Sequence, residues 1–289
     1  MRLRRPALAL PVLLTLATAA CGSADDSDDA ASTGAPTSGA CGPESLPLVT
    51  AGKLTVATDS PAYEPWFVEN DPTNGDGFES AVAYAVAERL GFSEDQVEWV
   101  VVPFNRSYKP GAKAFDFDVN QISISPERAE AVDFSRGYYA AAQAVIALKG
   151  SEAANATSLD DLRDLQLAAQ AGTTSLAAIT DVIEPAAEPE ALTDTGQAKQ
   201  KLLNGQVDAI LADLPTAFYI SAGEIPDSAI VGQFQAESGE QEEFGLLFEK
   251  GSRLRPCVDE VLAGLDEDGT LAELEQEWLS EVVGVPQLR

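Results

Sequence analysis

The stretch Asp116-Phe117-Asp118-Val119-Asn120-Gln121-Ile122-Ser123-Ile124-Ser125-Pro126-Glu127-Arg128, followed by Val132-Asp133-Phe134-Ser135 and Tyr138-Tyr139, decides how this chain is read. Its first half alternates. Phe117, Val119 and Gln121 face one way, and Asp118, Asn120 and Ile122 the other, which is the period of a strand. Ser125-Pro126-Glu127 then reads as a helix start, with Ser125 as N-cap and Pro126 in the first turn. A start of this kind leaves backbone N–H groups free to meet an anion. Arg128 falls inside that turn, and a guanidinium can grip a carboxylate with two parallel hydrogen bonds. An arginine in such a turn is equally a solvated surface residue, so its surroundings must decide.

Asn120-Gln121-Ile122-Ser123-Ile124-Ser125-Pro126-Glu127-Arg128-Ala129, with Val132-Asp133-Phe134-Ser135 and the tyrosine pair, closely resembles the signature of family 3 solute-binding proteins, the polar amino-acid receptors of bacterial ABC importers. The resemblance runs from about Gly52 to Leu279. It implies an α/β chain with the two-lobed periplasmic-binding-protein fold of type II, hinged on two crossing strands. Lobe 1 would comprise 46–142 and 244–289, and lobe 2 would comprise 143–243. Strands alternating with helices along the chain fit mostly parallel sheets.

Composition sets outer bounds. At 289 residues, with 45% hydrophobic and 22% charged residues, the chain has room for two domains and a sizeable core. Net charge is −29; without Arg2, Arg4 and Arg5, 15 bases face 47 acids, a net −32. A field of that sign opposes nucleic acid and anionic membrane surfaces. The absence of histidine removes the commonest general base and the commonest metal ligand. Nothing in the sequence calls for a metal or cofactor.

Residues 1–21 read as an export signal: three arginines, then a 14-residue apolar run from Ala7 to Ala20, too short to span a bilayer of ~20 residues. The run ends Thr18-Ala19-Ala20-Cys21-Gly22-Ser23, which resembles a lipobox with Cys21 as the lipidated residue and Thr18 where Leu is usual. Cleavage after Ala17-Thr18-Ala19 is the rival. Lipidation implies a protein held on the outer face of the bacterial cytoplasmic membrane; plain cleavage implies a secreted or periplasmic one. Either way Cys41 and Cys257 remain as a pair in an oxidising compartment, joined as a disulfide or left as two buried thiols. Residues 22–45 form an expected tether, rich in Ser, Gly, Thr and Asp to Ala40.

The remaining candidate residues come from the resemblance. Asp59 after the first strand would face the ligand side chain, and Tyr63 or Trp66 would stack on it. Phe104 matches an aromatic that packs on the ligand; the longer connector Pro103–Gly111 around it has no assigned purpose. Gln121 stands where a small residue is common, implying a narrower or more polar cleft, and Ser123 belongs to the same ligand turn. Ala171-Gly172-Thr173-Thr174 matches the loop that meets the substrate carboxylate from the opposite lobe. Asp213-Leu214-Pro215 matches the motif whose carboxylate receives the α-ammonium; a strand-end Asp is also an ordinary helix N-cap. The helix opened by Gly77-Phe78-Glu79 reads as core packing.

The function this implies is capture of a polar amino acid by a monomeric, non-enzymatic receptor that delivers it to an ABC permease. Two alternatives stay open: an enzyme similar to cyclohexadienyl or arogenate dehydratases, and a surface or sensor protein without transport. No particular amino acid is indicated.

Overall fold

The computed structural model describes residues 41–235, 242–279 and 284–289. The expected signal, Cys21 and the tether up to Ala40 lie outside the described residues. Strand β1 (Leu54–Thr58) is buried at every position, because an apolar run flanked by parallel neighbours has both faces covered. Those neighbours are β2 (Val97–Val101) and β3 (Phe117–Asp118). Helix α1 (Phe78–Arg89) links β1 to β2 and buries Phe78, Val82 and Val86. Gly77 precedes it at φ 96, where a Cβ would come within 2.5 Å of the Trp66 carbonyl oxygen. Only glycine allows that approach.

The connector read as a loop contains a short helix, α2 (Phe104–Ser107). After β3 comes α3 (Pro126–Ala131), capped as its sequence predicts: the Ser125 side chain accepts from the Arg128 N–H. Then β4 (Val132–Ala141) completes the outgoing strands of the first sheet. One residue later the chain enters a second sheet with β5 (Gln143–Leu148). The second sheet adds β6 (Leu167–Gln170), β7 (Glu190–Leu192), β8 (Ala209–Asp213) and β9 (Ser228–Phe234). Its helices are α4 (Thr174–Ala178), α5 (Thr195–Leu203) and α6 (Leu214–Tyr219). Strand β10 (Glu242–Glu249) returns to the first sheet, followed by α7 (Arg255–Glu267) and α8 (Thr270–Leu279). The sheet orders are β2-β1-β3-β10-β4 and β7-β6-β8-β5-β9.

The alternation in the opening stretch holds. Phe117 and Val119 join the core under α1, α7 and α8, whereas Ile122 lies in a separate cluster with Ala57, Phe104 and Leu247. Residues 158–162 make a 3₁₀ turn at Asp160–Leu162, with the Asp161 carboxylate tied back to the Thr157 and Ser158 N–H groups. At the start of α8 the Asp268 carboxylate accepts from the Thr270 N–H. The C-terminal tail, expected with lobe 1, lies on the second sheet: Gln287 bridges to Gln233, and Leu288 is buried beside Leu211 and Val231. None of the described helices is long and apolar enough to cross a membrane.

Cys41 and Cys257 form a disulfide with Cα atoms 5.5 Å apart across 216 residues of chain. Cys41 sits in a bend ahead of β1, and Cys257 in α7. The bond clips the start of the described chain to α7 in the first sheet's core. Closing so long a loop restricts the unfolded chain, an effect of ~2–4 kcal/mol. Urea unfolding of Cys257→Ser should therefore show a stability loss of about that size, and an unchanged midpoint would show that the bond carries no stability.

Candidate functional site

Between the two sheets lies a cavity of about 60 Å³. One wall carries Asp59, Tyr63, Phe104, Asn120, Gln121 and Phe244, reached from the first sheet; the other carries Gln143, Gln170, Thr173, Thr174, Asp213 and Thr216, reached from the second. Asp213 ends β8, where ligands bind in open α/β sheets. Its Oδ1 accepts from the Thr216 N–H at 2.9 Å, capping α6. The two readings of this residue thus coincide: it caps a helix and stands on the cavity wall. Burial holds its carboxyl up at about 6.

Thr173 caps α4, its hydroxyl accepting from Leu176 N–H at 3.2 Å and donating to the Gln170 carbonyl at 2.7 Å. The Thr174 hydroxyl donates to Glu242 Oε1 at 2.6 Å. On the opposite wall, Asp59 Oδ2 accepts from Phe104 N–H at 3.1 Å, which ties the strand end to α2. The Phe104 ring meets Tyr108 edge-on at 5.6 Å. Tyr63 spans the gap: its hydroxyl accepts from Gly196 N–H at 3.2 Å, and the Lys199 ammonium sits 5.1 Å from its ring centre. Burial pushes the Tyr63 hydroxyl up to about 12.

Three expected residues are not on the cavity wall. Trp66 is fully buried in the first sheet's core, edge-on to Phe78, Tyr139 and Phe244 at 5.4–5.9 Å. Its indole N–H donates across the gap to Thr216 Oγ1 at 2.8 Å. Of the two aromatic candidates, only Tyr63 reaches the cavity. The Ser123 hydroxyl is occupied by Glu242 and lies 3.2 Å from Thr174 Oγ1. Arg128 straddles the gap, donating from Nη1 to the Ser123 carbonyl at 2.8 Å and from Nη2 to the Gly172 carbonyl at 3.0 Å. Its guanidinium stacks on Tyr108 and Phe104, 5.0 and 5.6 Å from the ring centres. Gly172 has φ 79, and a Cβ there would collide with the Tyr108 hydroxyl, so the loop that Arg128 grips requires glycine.

Carboxylates missed in the sequence lie just behind the walls. Glu79, read as part of a packing helix, is fully buried and accepts from the Gln121 N–H at 2.7 Å, the Gln121 amide and the Tyr138 hydroxyl. These bonds hold Gln121 at φ 46. Burial lifts the Glu79 carboxyl to about 7 against the pull of those donors. Asp118 is fully buried on β3, and burial, then Glu79 and Asp59, push its carboxyl well up. Glu242, at the start of β10, gathers donors from both sheets. No spacing rule marks any of the three, because each is defined by what surrounds it after folding.

The sequence pattern of bacterial extracellular solute-binding proteins, family 3, matches residues 54–281. The chain belongs to this family. The L-cystine-binding protein TcyJ of Escherichia coli (strain K12) is 27% identical over 230 residues, covering 78% of this chain and 82% of that protein. Among solved structures, an ancestral arginine-binding protein bound to glutamine aligns at 27% identity and a TM-score of 0.67, covering 79% of this chain and 98% of that one. An ancestral amino acid-binding protein, a precursor of cyclohexadienyl dehydratase, aligns at 28% and a TM-score of 0.65, covering 78% and 95%. The two sheets joined by crossing strands are thus the two-lobed α/β fold of family 3 solute-binding proteins.

The raised carboxyls set a pH dependence. Between its ordinary 4.5 and about 7, Glu79 keeps a proton in the folded solute-binding protein that the unfolded chain has released. Asp213 does the same between 3.8 and about 6. Folding therefore takes up protons in this window, and stability falls as pH rises. The ligand-free protein should melt a few degrees higher at pH 5 than at pH 8, and Glu79→Gln should flatten that slope. A wild-type melting temperature that rises over this range would contradict the assignment.

Proposed function

We propose that this chain captures a polar amino acid between two lobes, 46–142 with most of 244–289 against 143–243, and delivers it to an ABC permease. The observation that carries the reading is Asp213: a carboxylate at a strand end, raised by burial, facing residues of the opposite sheet across a cavity with no lysine or arginine among its lining residues. An α-ammonium would supply the missing positive charge. Arg128 stands at the edge of the same gap, its guanidinium donating to two neutral carbonyls, and an incoming carboxylate would replace those bonds with a charge-assisted pair. The wall residues Asp59, Tyr63, Phe104, Gln121, Thr173 and Thr174 would surround the side chain and the carboxylate, with Ser123 just behind them.

Entry requires the lobes to part, which breaks the cross-gap bonds of Arg128 to Gly172, Tyr63 to Gly196 and Trp66 to Thr216. The ligand then favours closure by the contacts it makes only when both walls reach it. Lipidation of Cys21, a monomeric state and tethering to the outer face of the cytoplasmic membrane complete the proposal. The likeness to a precursor of cyclohexadienyl dehydratase favours one alternative, an enzyme on this fold; phenylalanine formed from arogenate would establish it.

Calorimetric titration with the twenty standard amino acids and L-cystine should find at least one binder near micromolar affinity, about −8 kcal/mol. Asp213→Asn should weaken that binder about tenfold or more, the worth of one charged hydrogen bond. Absence of any amino-acid binding would end the receptor reading.

A further inference from the structure

Gln143 and Asp213 are register partners across β5 and β8, so their side chains leave the same face of the sheet side by side. Both stand on the cavity wall. Gln143 is 1% exposed, and its amide is anchored at one end only. Nε2 donates to Glu242 Oε2 at 2.9 Å and to Thr174 Oγ1 at 3.3 Å. Oε1 is buried and accepts no hydrogen bond from any described residue.

Hydrogen-bond polarity fixes which way this amide points. A carboxylate only accepts, and Glu242 takes the hydroxyl protons of Thr174, at 2.6 Å, and of Ser123, together with one amide N–H. With its proton committed to Glu242, the Thr174 hydroxyl meets the amide only as an acceptor. Turning the amide over would set two oxygens against each other at Glu242 and leave the Thr174 lone pair without its donor. Oε1 is therefore held away from Glu242. A buried acceptor left unfilled is costly, and this one belongs to the register partner of the carboxylate already assigned to a cation.

We propose that Gln143 Oε1 is a second acceptor for the ligand's α-ammonium, beside Asp213, and that Glu242 is the positioning residue that aims it. An ammonium carries three N–H donors, and the Oδ1 atom of Asp213 is already engaged by the Thr216 N–H. The amide oxygen takes a donor that a single capped carboxylate leaves over. This assignment rests on the reading of the cleft as an amino-acid site. It adds to that reading a preference for ammonium over a hydroxyl at the same carbon, since a hydroxyl has one proton for two acceptors.

The test is calorimetry on the mature protein with the twenty standard amino acids and L-cystine, then with the α-hydroxy counterpart of the tightest binder. Gln143→Met, close in shape but without the acceptor, should weaken the amino acid about tenfold and narrow the preference over the hydroxy acid by a similar factor. Its melting temperature without ligand should fall by only a few degrees, since Met removes the Nε2 donor to Glu242 and Thr174 along with the unfilled acceptor. Glu242→Gln can donate to Gln143 Oε1 and turn the amide around, so it too should weaken binding. The exchange variant Gln143→Glu with Glu242→Gln puts a carboxylate oxygen where the amide oxygen was, with a donor behind it, and should recover affinity to within about threefold of wild type. Unchanged affinity and preference in Gln143→Met would overturn the acceptor role while leaving the amino-acid site intact. An exchange variant no better than the single changes would overturn the role of Glu242. A wild-type protein that binds none of the compounds removes the site itself, and this assignment with it.

Discussion

A carboxylate half-buried at the end of a buried strand is stabilised by taking up a proton or by meeting a positive charge. Asp213 is in that position, and most of the site's architecture follows from it. Its backbone neighbours supply one capping N–H but no lysine or arginine lines the cavity in front of it. Glu79 and Asp118 lie behind the opposite wall with their own carboxyls raised by burial. The cleft floor is thus rich in acceptors and short of cations. In a family of solute-binding proteins, that imbalance is what the proposed α-ammonium would offset.

The crossing strands are what bring the acceptors together. Strand β4 leaves the first sheet and β5 enters the second with one residue between them, so Gln143 is at the junction. Glu242 begins the strand that returns. A side chain placed there touches both halves at once, which is why its carboxylate can collect Ser123 from one and Thr174 and Gln143 from the other. Arg128 does the complementary task at the edge of the gap, with donors on carbonyls of both halves and its flat face on Phe104 and Tyr108.

Much of the fold was legible because it follows from period and punctuation. The alternation through Phe117, Val119 and Ile122 sorted those side chains onto the two faces they occupy, and Ser125-Pro126 marked a helix start that the structure keeps. The wall positions of Asp59, Tyr63, Phe104, Gln121, Thr173, Thr174 and Asp213 follow from motif resemblance, since each lies at a strand end, in a loop or at the start of a helix. Trp66 was not separable from Tyr63 by sequence: both are aromatic in one short loop, and only packing against Phe78, Tyr139 and Phe244 turns Trp66 inward. Glu79, Gln143 and Glu242 were invisible for a different reason. A glutamate on a helix or a strand ordinarily faces water, and nothing local tells that its neighbours after folding will be a tyrosine hydroxyl, an amide and two short hydroxyls. The C-terminal tail carries no periodic pattern, so its return to the second sheet depends on where Gly232 leaves room for Leu288.

The claim at the centre is that Asp213 is the counter-charge to a ligand ammonium. Carbon-13 NMR of aspartate-labelled protein reads it directly, through the titration of the Asp213 carboxyl with and without a bound amino acid. The account predicts a midpoint near 6 in the free protein and a marked fall on binding, because an ammonium beside it favours the ionised form. A midpoint that stays put, or rises, when an amino acid fills the cleft would contradict it.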